Sequence, residues 1–67
     1  MTDDLKQLIV SAHKAEQEDV EKYTEMIEKL NIAHCYKAAG IIADIKHDEE
    51  THINALAHIL EMEEVHD

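Results

Sequence analysis

Two glutamates and one histidine are the residues of this sequence best placed to do chemistry. Glu16 falls where an apolar residue belongs in a helical stripe, in the series Ala12, Glu16, Val20, Tyr23. Glu49 and His52 interrupt a second stripe, Ile42, Ile45, Glu49, His52, Leu56. A carboxylate drawn into an apolar seam is costly unless it is neutralised, paired or coordinated to a metal. The chain has no arginine, and the stripes read this way contain no lysine, so a divalent or trivalent cation is the expected counter-charge. Glu49 and His52 are related by i, i+3 and therefore share one helix face. Carboxylate oxygens with an imidazole suit iron, with manganese or zinc as alternatives.

These groups must be positioned by helices. The chain has 67 residues with no proline, tryptophan or phenylalanine and one glycine. That composition favours long helices over a sheet. Thr2 is a suitable N-cap, and Asp3 and Asp4 suit the positive end of a helix dipole. Leu5, Ile9, Ala12, Val20, Tyr23, Ile27 and Leu30 recur at steps of three and four, which predicts a first helix over about 3–30. Asn31 is an acceptable C-cap, placing a turn at about 31–33. The spacing of Cys35, Ala38, Ile42, Ile45, Leu56 and Ile59 predicts a second helix over about 34–65. Ile41, Ala43, Ile53, Ala57 and Leu60 widen its apolar band. Gly40 lies inside that helix and is explained equally by a close helix crossing or by a tolerated irregularity.

The expected fold is thus all-α, a single antiparallel hairpin spanning residues 1–67. A lone chain of this size buries only about 60% of its unfolded surface. One cysteine, Cys35, cannot form an internal disulfide, so a metal and self-association are the remaining ways to reinforce the fold. Two hairpins can cover their apolar faces as a homodimeric four-helix bundle, and the wide band on the second helix hints at a higher homo-oligomer. Glu16 and Glu49 lie 16 and 17 residues from Ile32 (32 − 16 and 49 − 32), so they should sit at one depth. Glu-x-x-His on one helix with a Glu from another is half of a di-iron carboxylate site. One hairpin supplies two carboxylates and one imidazole; a twofold axis doubles the set.

The stretch from Glu16 to His52 resembles half of the rubrerythrin and ferritin-like domain, above all the encapsulated-ferritin type with two-helix subunits. The resemblance is carried by Glu16 with Tyr23 seven residues later, by the 33-residue step to Glu49 (49 − 16), and by DEETH at 48–52. It implies a ferritin-like four-helix bundle built by dimerisation, with Glu16, Glu49 and His52 as ligands to two iron ions per dimer. It implies further that Glu49 bridges the ions and that Tyr23 hydrogen-bonds a ligand carboxylate. The implied activity is oxidation of Fe(II) by O₂ or peroxide, as in a ferroxidase. Two features of the family are missing from the sequence. There is no Cys-x-x-Cys electron-transfer domain, and no tail after Asp67 resembles the peptide that docks such proteins in an encapsulin-type shell.

The charge balance excludes other classes. Sixteen acidic against six basic residues give a net charge of −10. Nucleic acid and anionic membranes both require a basic face, so neither is an expected partner. No apolar run approaches a spanning helix, which makes a cytoplasmic location the expectation. Residence in a protein nanocompartment is only what the resemblance would allow, and no docking tail in the sequence supports it. Among the remaining polar residues, Asp48 lies at i, i+4 to His52 and is read as a solvated acid that could instead orient the imidazole. His13 is read as a surface or interface residue that could add a ligand. His34, His47, His58 and His66 fall off the stripe and are expected at the surface or at subunit contacts. Glu18, Asp19, Glu21 and Glu25 are read as a solvated face that could steer Fe(II). Cys35 is expected to pack near the turn, and Met26 and Met62 to fill the core or an interface. Two competing readings remain: a non-enzymatic helical dimerisation module whose inward polar groups set register, and a metal site without ferroxidase turnover.

Overall fold

The structure, a computed structural model, describes residues 1–65; His66 lies outside the described residues. Two helices, α1 (Asp3–Ile32) and α2 (Tyr36–Val65), make up the fold. Thirty residues of α-helix are about 45 Å long. The whole molecule measures 51 × 15 × 11 Å, so the helices run side by side as an antiparallel hairpin. Thr2 caps α1 by accepting the Leu5 N–H at 3.3 Å, with Asp3 and Asp4 in the first turn.

The reversal lies two residues later than the sequence suggests, at Ala33–His34–Cys35. Asn31 stays helical, and α1 ends instead in a Schellman motif. The Cys35 N–H donates to Leu30 O (2.8 Å) and the His34 N–H to Asn31 O (3.0 Å). That motif needs a left-handed residue, ordinarily glycine, and here His34 takes it with φ 62°. A 2.7 Å hydrogen bond between His34 Nδ1 and the Tyr36 hydroxyl holds the ring over the turn. The Cys35 carbonyl accepts the first hydrogen bond of α2, from Ala39 (3.0 Å). The Cys35 side chain is exposed rather than packed, its thiol turned to the Ala33 carbonyl of the reversal (3.7 Å).

The seam between the helices follows strict heptad steps. On α1 it runs Lys6, Ile9, His13, Glu16, Val20, Tyr23, Ile27, Leu30, all half-buried. On α2 it runs Ala39, Ile42, Lys46, Glu49, Ile53, Leu56, Leu60, Glu63. The sequence stripe on α2 had merged two rows. Ile42, Glu49 and Leu56 belong to the seam, whereas Ala38, Ile45, His52 and Ile59 stand one position before it. Two expectations fall with that merger: His13 is a seam residue, and the seam contains two lysines, Lys6 and Lys46.

Each residue advances about 100° around a helix. Because α2 runs opposite to α1, the positions one before each seam position point to the same side of the hairpin. That side carries Leu5, Leu8 and Met26 from α1 and Ile41, Ile45, Ile59 and Met62 from α2, all exposed. The methionines thus lie on this open face, not in the seam. The opposite flank is largely polar, with Val10 as its exposed large apolar side chain on α1. Ala39 is the one buried hydrophobic residue among those described, so the single hairpin encloses almost no core.

Gly40 lies on the polar flank, and a Cβ added there would meet nothing within 4 Å. No close crossing explains it. Gly40→Ala is therefore expected to stabilise the protein by about 1 kcal/mol, read as a higher midpoint in urea. Among the described residues no helix is long and apolar enough to cross a membrane.

Candidate metal centre

Glu16 reaches the centre from the seam of α1, and Glu49 from the facing seam position of α2. His52, three residues beyond Glu49, projects from the open face back toward both. One donor atom from each of the three lies within 4.8 Å of the others. His52 Nδ1 stands 3.5 Å from Glu16 Oε2 and 3.9 Å from Glu49 Oε1. The glutamates are mostly covered, at 26% and 18% side-chain exposure, while His52 is 57% exposed. His52 is therefore not an inward residue of the single hairpin. It is the lip of a cluster whose floor is the two carboxylates.

The electrostatics leave this cluster short of positive charge. The Glu49 carboxyl is held above its ordinary value of 4.5, first by sharing a hydrogen bond with Glu16, then by burial and by the charges of Glu16 and Asp19; His52 opposes the rise. Glu16 Oε2 is closed off from solvent and has no hydrogen-bond partner. Lys46, one turn from Glu49, is half-buried in the seam but makes no ion pair with either glutamate among the described residues. A cation fits what is missing. Donors on opposite sides of an ion with bonds of about 2.1 Å are about 4.2 Å apart. The donors here lie within 4.8 Å of one another, close to that span.

The other sequence candidates fall into different places. Tyr23 is half-buried in the seam two turns from Glu16, and no hydrogen bond among the described residues links its hydroxyl to the cluster. Its packing against α2 accounts for its position. Asp48 is exposed and makes no hydrogen bond to the His52 ring. His34, His47 and His58 are exposed. Of the acidic run, Glu18, Glu21 and Glu25 are exposed, and Glu25 is paired with Lys29 at 2.8 Å. Asp19 differs: it is half-buried, and its charge acts on Glu49 across the hairpin. Reading the run as one solvated face hid it; the heptad position, one before Val20, was the signal that could have singled it out.

Comparison with protein-family models, with curated proteins and with solved structures finds no match to this chain, so the ferritin-like resemblance stands on its residues alone.

Proposed function

We propose that the chain is a ferritin-like di-iron carboxylate protein that oxidises Fe(II) at a centre shared by two copies. The observation that carries this reading is the solvent-excluded Glu16 Oε2, which has no hydrogen-bond partner, beside Glu49 and His52. Fe(II) is the substrate. Glu16, Glu49 and His52 hold it, the carboxylates offering hard oxygen ligands that favour the ferric product. Two Fe(II) release two electrons, which O₂ or peroxide accepts. The seam residues Val20 and Ile53 form an apolar wall that limits water at the carboxylates.

The distribution of apolar residues supports the shared arrangement. On the open face Ile45 and Ile59 stand seven residues to either side of His52 (52 − 45 and 59 − 52). Ile41 and Met62 stand eleven and ten residues away (52 − 41 and 62 − 52). A twofold axis normal to that face at His52 lays each apolar cluster of one copy on the other cluster of its partner. The same axis brings two Glu/Glu/His sets together, giving four carboxylates and two imidazoles for two ions.

Single-turnover oxidation of anaerobic Fe(II) tests the reading. The wild-type chain is expected to take up about one iron per chain and to develop a ferric absorbance on mixing with O₂ or peroxide. Glu49→Ala should lose both. Iron oxidation by that variant at the wild-type rate would refute the assignment. Metal bound without turnover would leave a structural or differently loaded site. No bound metal in a stable dimer would identify a register-setting polar layer, which the half-buried Lys46 would then help to neutralise.

A further inference from the structure

Two of the chain's three methionines, Met26 and Met62, stand on the open face, where they are 44% and 48% exposed. They come from different helices and lie on opposite sides of the candidate centre. Each is ten residues from one of its residues (26 − 16 and 62 − 52), or about 15 Å along the helix. Each apolar cluster of the face therefore holds one thioether. Met26 accompanies Ile41 and Ile45 near the turn, and Met62 accompanies Leu8 and Ile59 at the far end. The aliphatic neighbours are inert to two-electron oxidants, whereas a thioether is not. The seam positions hold no methionine.

We propose that Met26 and Met62 are modification sites through which peroxide controls assembly: each thioether takes one oxygen atom from a peroxide, and the open face then loses its capacity to pair with a second copy. This rests on the shared arrangement given above. In the step the peroxide O–O bond breaks and an S–O bond forms. The sulfur loses two electrons, and hydrogen peroxide, which gains them, leaves as water. The sulfoxide is polar, and an apolar contact leaves its oxygen without a hydrogen-bond partner. Twofold symmetry brings four such groups into one contact. Both sulfurs are open to solvent in the single hairpin and covered by pairing, so peroxide acts on unpaired chains. Neither lies in the seam, so the contacts between α1 and α2 are untouched. Peroxide is also an electron acceptor in the proposed reaction, so the modification responds to oxidant that outlasts the Fe(II).

The test uses the full chain carrying Cys35→Ser, which removes the exposed thiol as a competing target. Dilute protein is oxidised with hydrogen peroxide in chelator, freed of both, loaded with redox-inert Zn(II) and followed by sedimentation equilibrium. Peptide masses read the added oxygen at each methionine. Oxidation of Met26 and Met62 is expected to raise the dimer Kd by at least ~10-fold, and sulfoxide reductases of both stereospecificities should restore it. The double variant Met26→Leu, Met62→Leu, compared with its own untreated sample, should show no such change. The inference is overturned if the chain with both sulfoxides pairs like the untreated one, or if the double variant responds to peroxide as strongly. An untreated chain that stays single at every concentration would instead refute the shared arrangement, and this inference with it.

Discussion

Ile45→Glu should separate the proposed dimer into single hairpins and remove metal uptake in the same step. Ile45 is exposed on the open face, and the twofold axis pairs it with Ile59 of the other copy. Burying an isoleucine is worth about 1.5–3 kcal/mol, and symmetry counts each substitution twice. Loss of the pair therefore weakens association by roughly 3–6 kcal/mol, about two to four powers of ten in Kd, before the added charge is considered. Sedimentation and metal titration on the same samples check it. Val10→Glu places the same charge on the opposite flank and should leave both readouts unchanged. An Ile45→Glu variant that stays dimeric would show that a different face makes the contact.

The second large effect is on stability. A cation that binds only the folded assembly at 100 times its Kd stabilises each site by about 2.7 kcal/mol. Thermal unfolding with and without Mn(II) should show that gain, chelator should reverse it, and Glu16→Ala should abolish it. The metal-free protein should also respond to pH in a direction unusual for a carboxylate. Folding raises the Glu49 pKa, so the folded chain holds this proton more tightly than the unfolded one. The group's contribution is fully present below the unfolded value of 4.5 and is lost as pH rises through the higher folded value. Lowering the pH from neutral toward that range in the presence of chelator should raise the urea midpoint more for wild type than for Glu49→Gln. With cation bound, acid should instead destabilise, because protons compete for the ligands.

The hairpin was legible in the sequence because every local signal agreed: Thr2 before a long periodic run, no proline, and apolar steps of three and four. The turn was misplaced by two residues because its left-handed position is filled by His34 rather than glycine, and nothing in a histidine announces that backbone. Moving the turn to His34 undoes the equal count, leaving Glu16 at 18 and Glu49 at 15 residues from it (34 − 16 and 49 − 34). The two carboxylates and His52 still come within 4.8 Å of one another, because long side chains span the offset. The rows on α2 were harder to separate. Ile42 and Ile45, like Glu49 and His52, are each three apart, and a three-residue step fits either a single broad stripe or two adjacent heptad rows. Only the facing helix decides between them, by taking Glu49 into the seam and leaving His52 at its rim. The same ambiguity concealed Lys46 and His13, whose charge suggested solvent although their heptad positions did not.

The reversal at His34 has a consequence for how copies meet. A non-glycine residue in the left-handed region costs about 1–2 kcal/mol, a cost that vanishes if the chain runs straight through. Straightened, α1 and α2 become one rod of roughly 95 Å, and two rods laid antiparallel rebuild every seam contact by exchanging helices. The hydrogen bond between His34 Nδ1 and the Tyr36 hydroxyl belongs to the closed corner and is broken by that straightening, so this three-residue corner, far from the glutamates, bears on whether the two helices pair within one chain or across two.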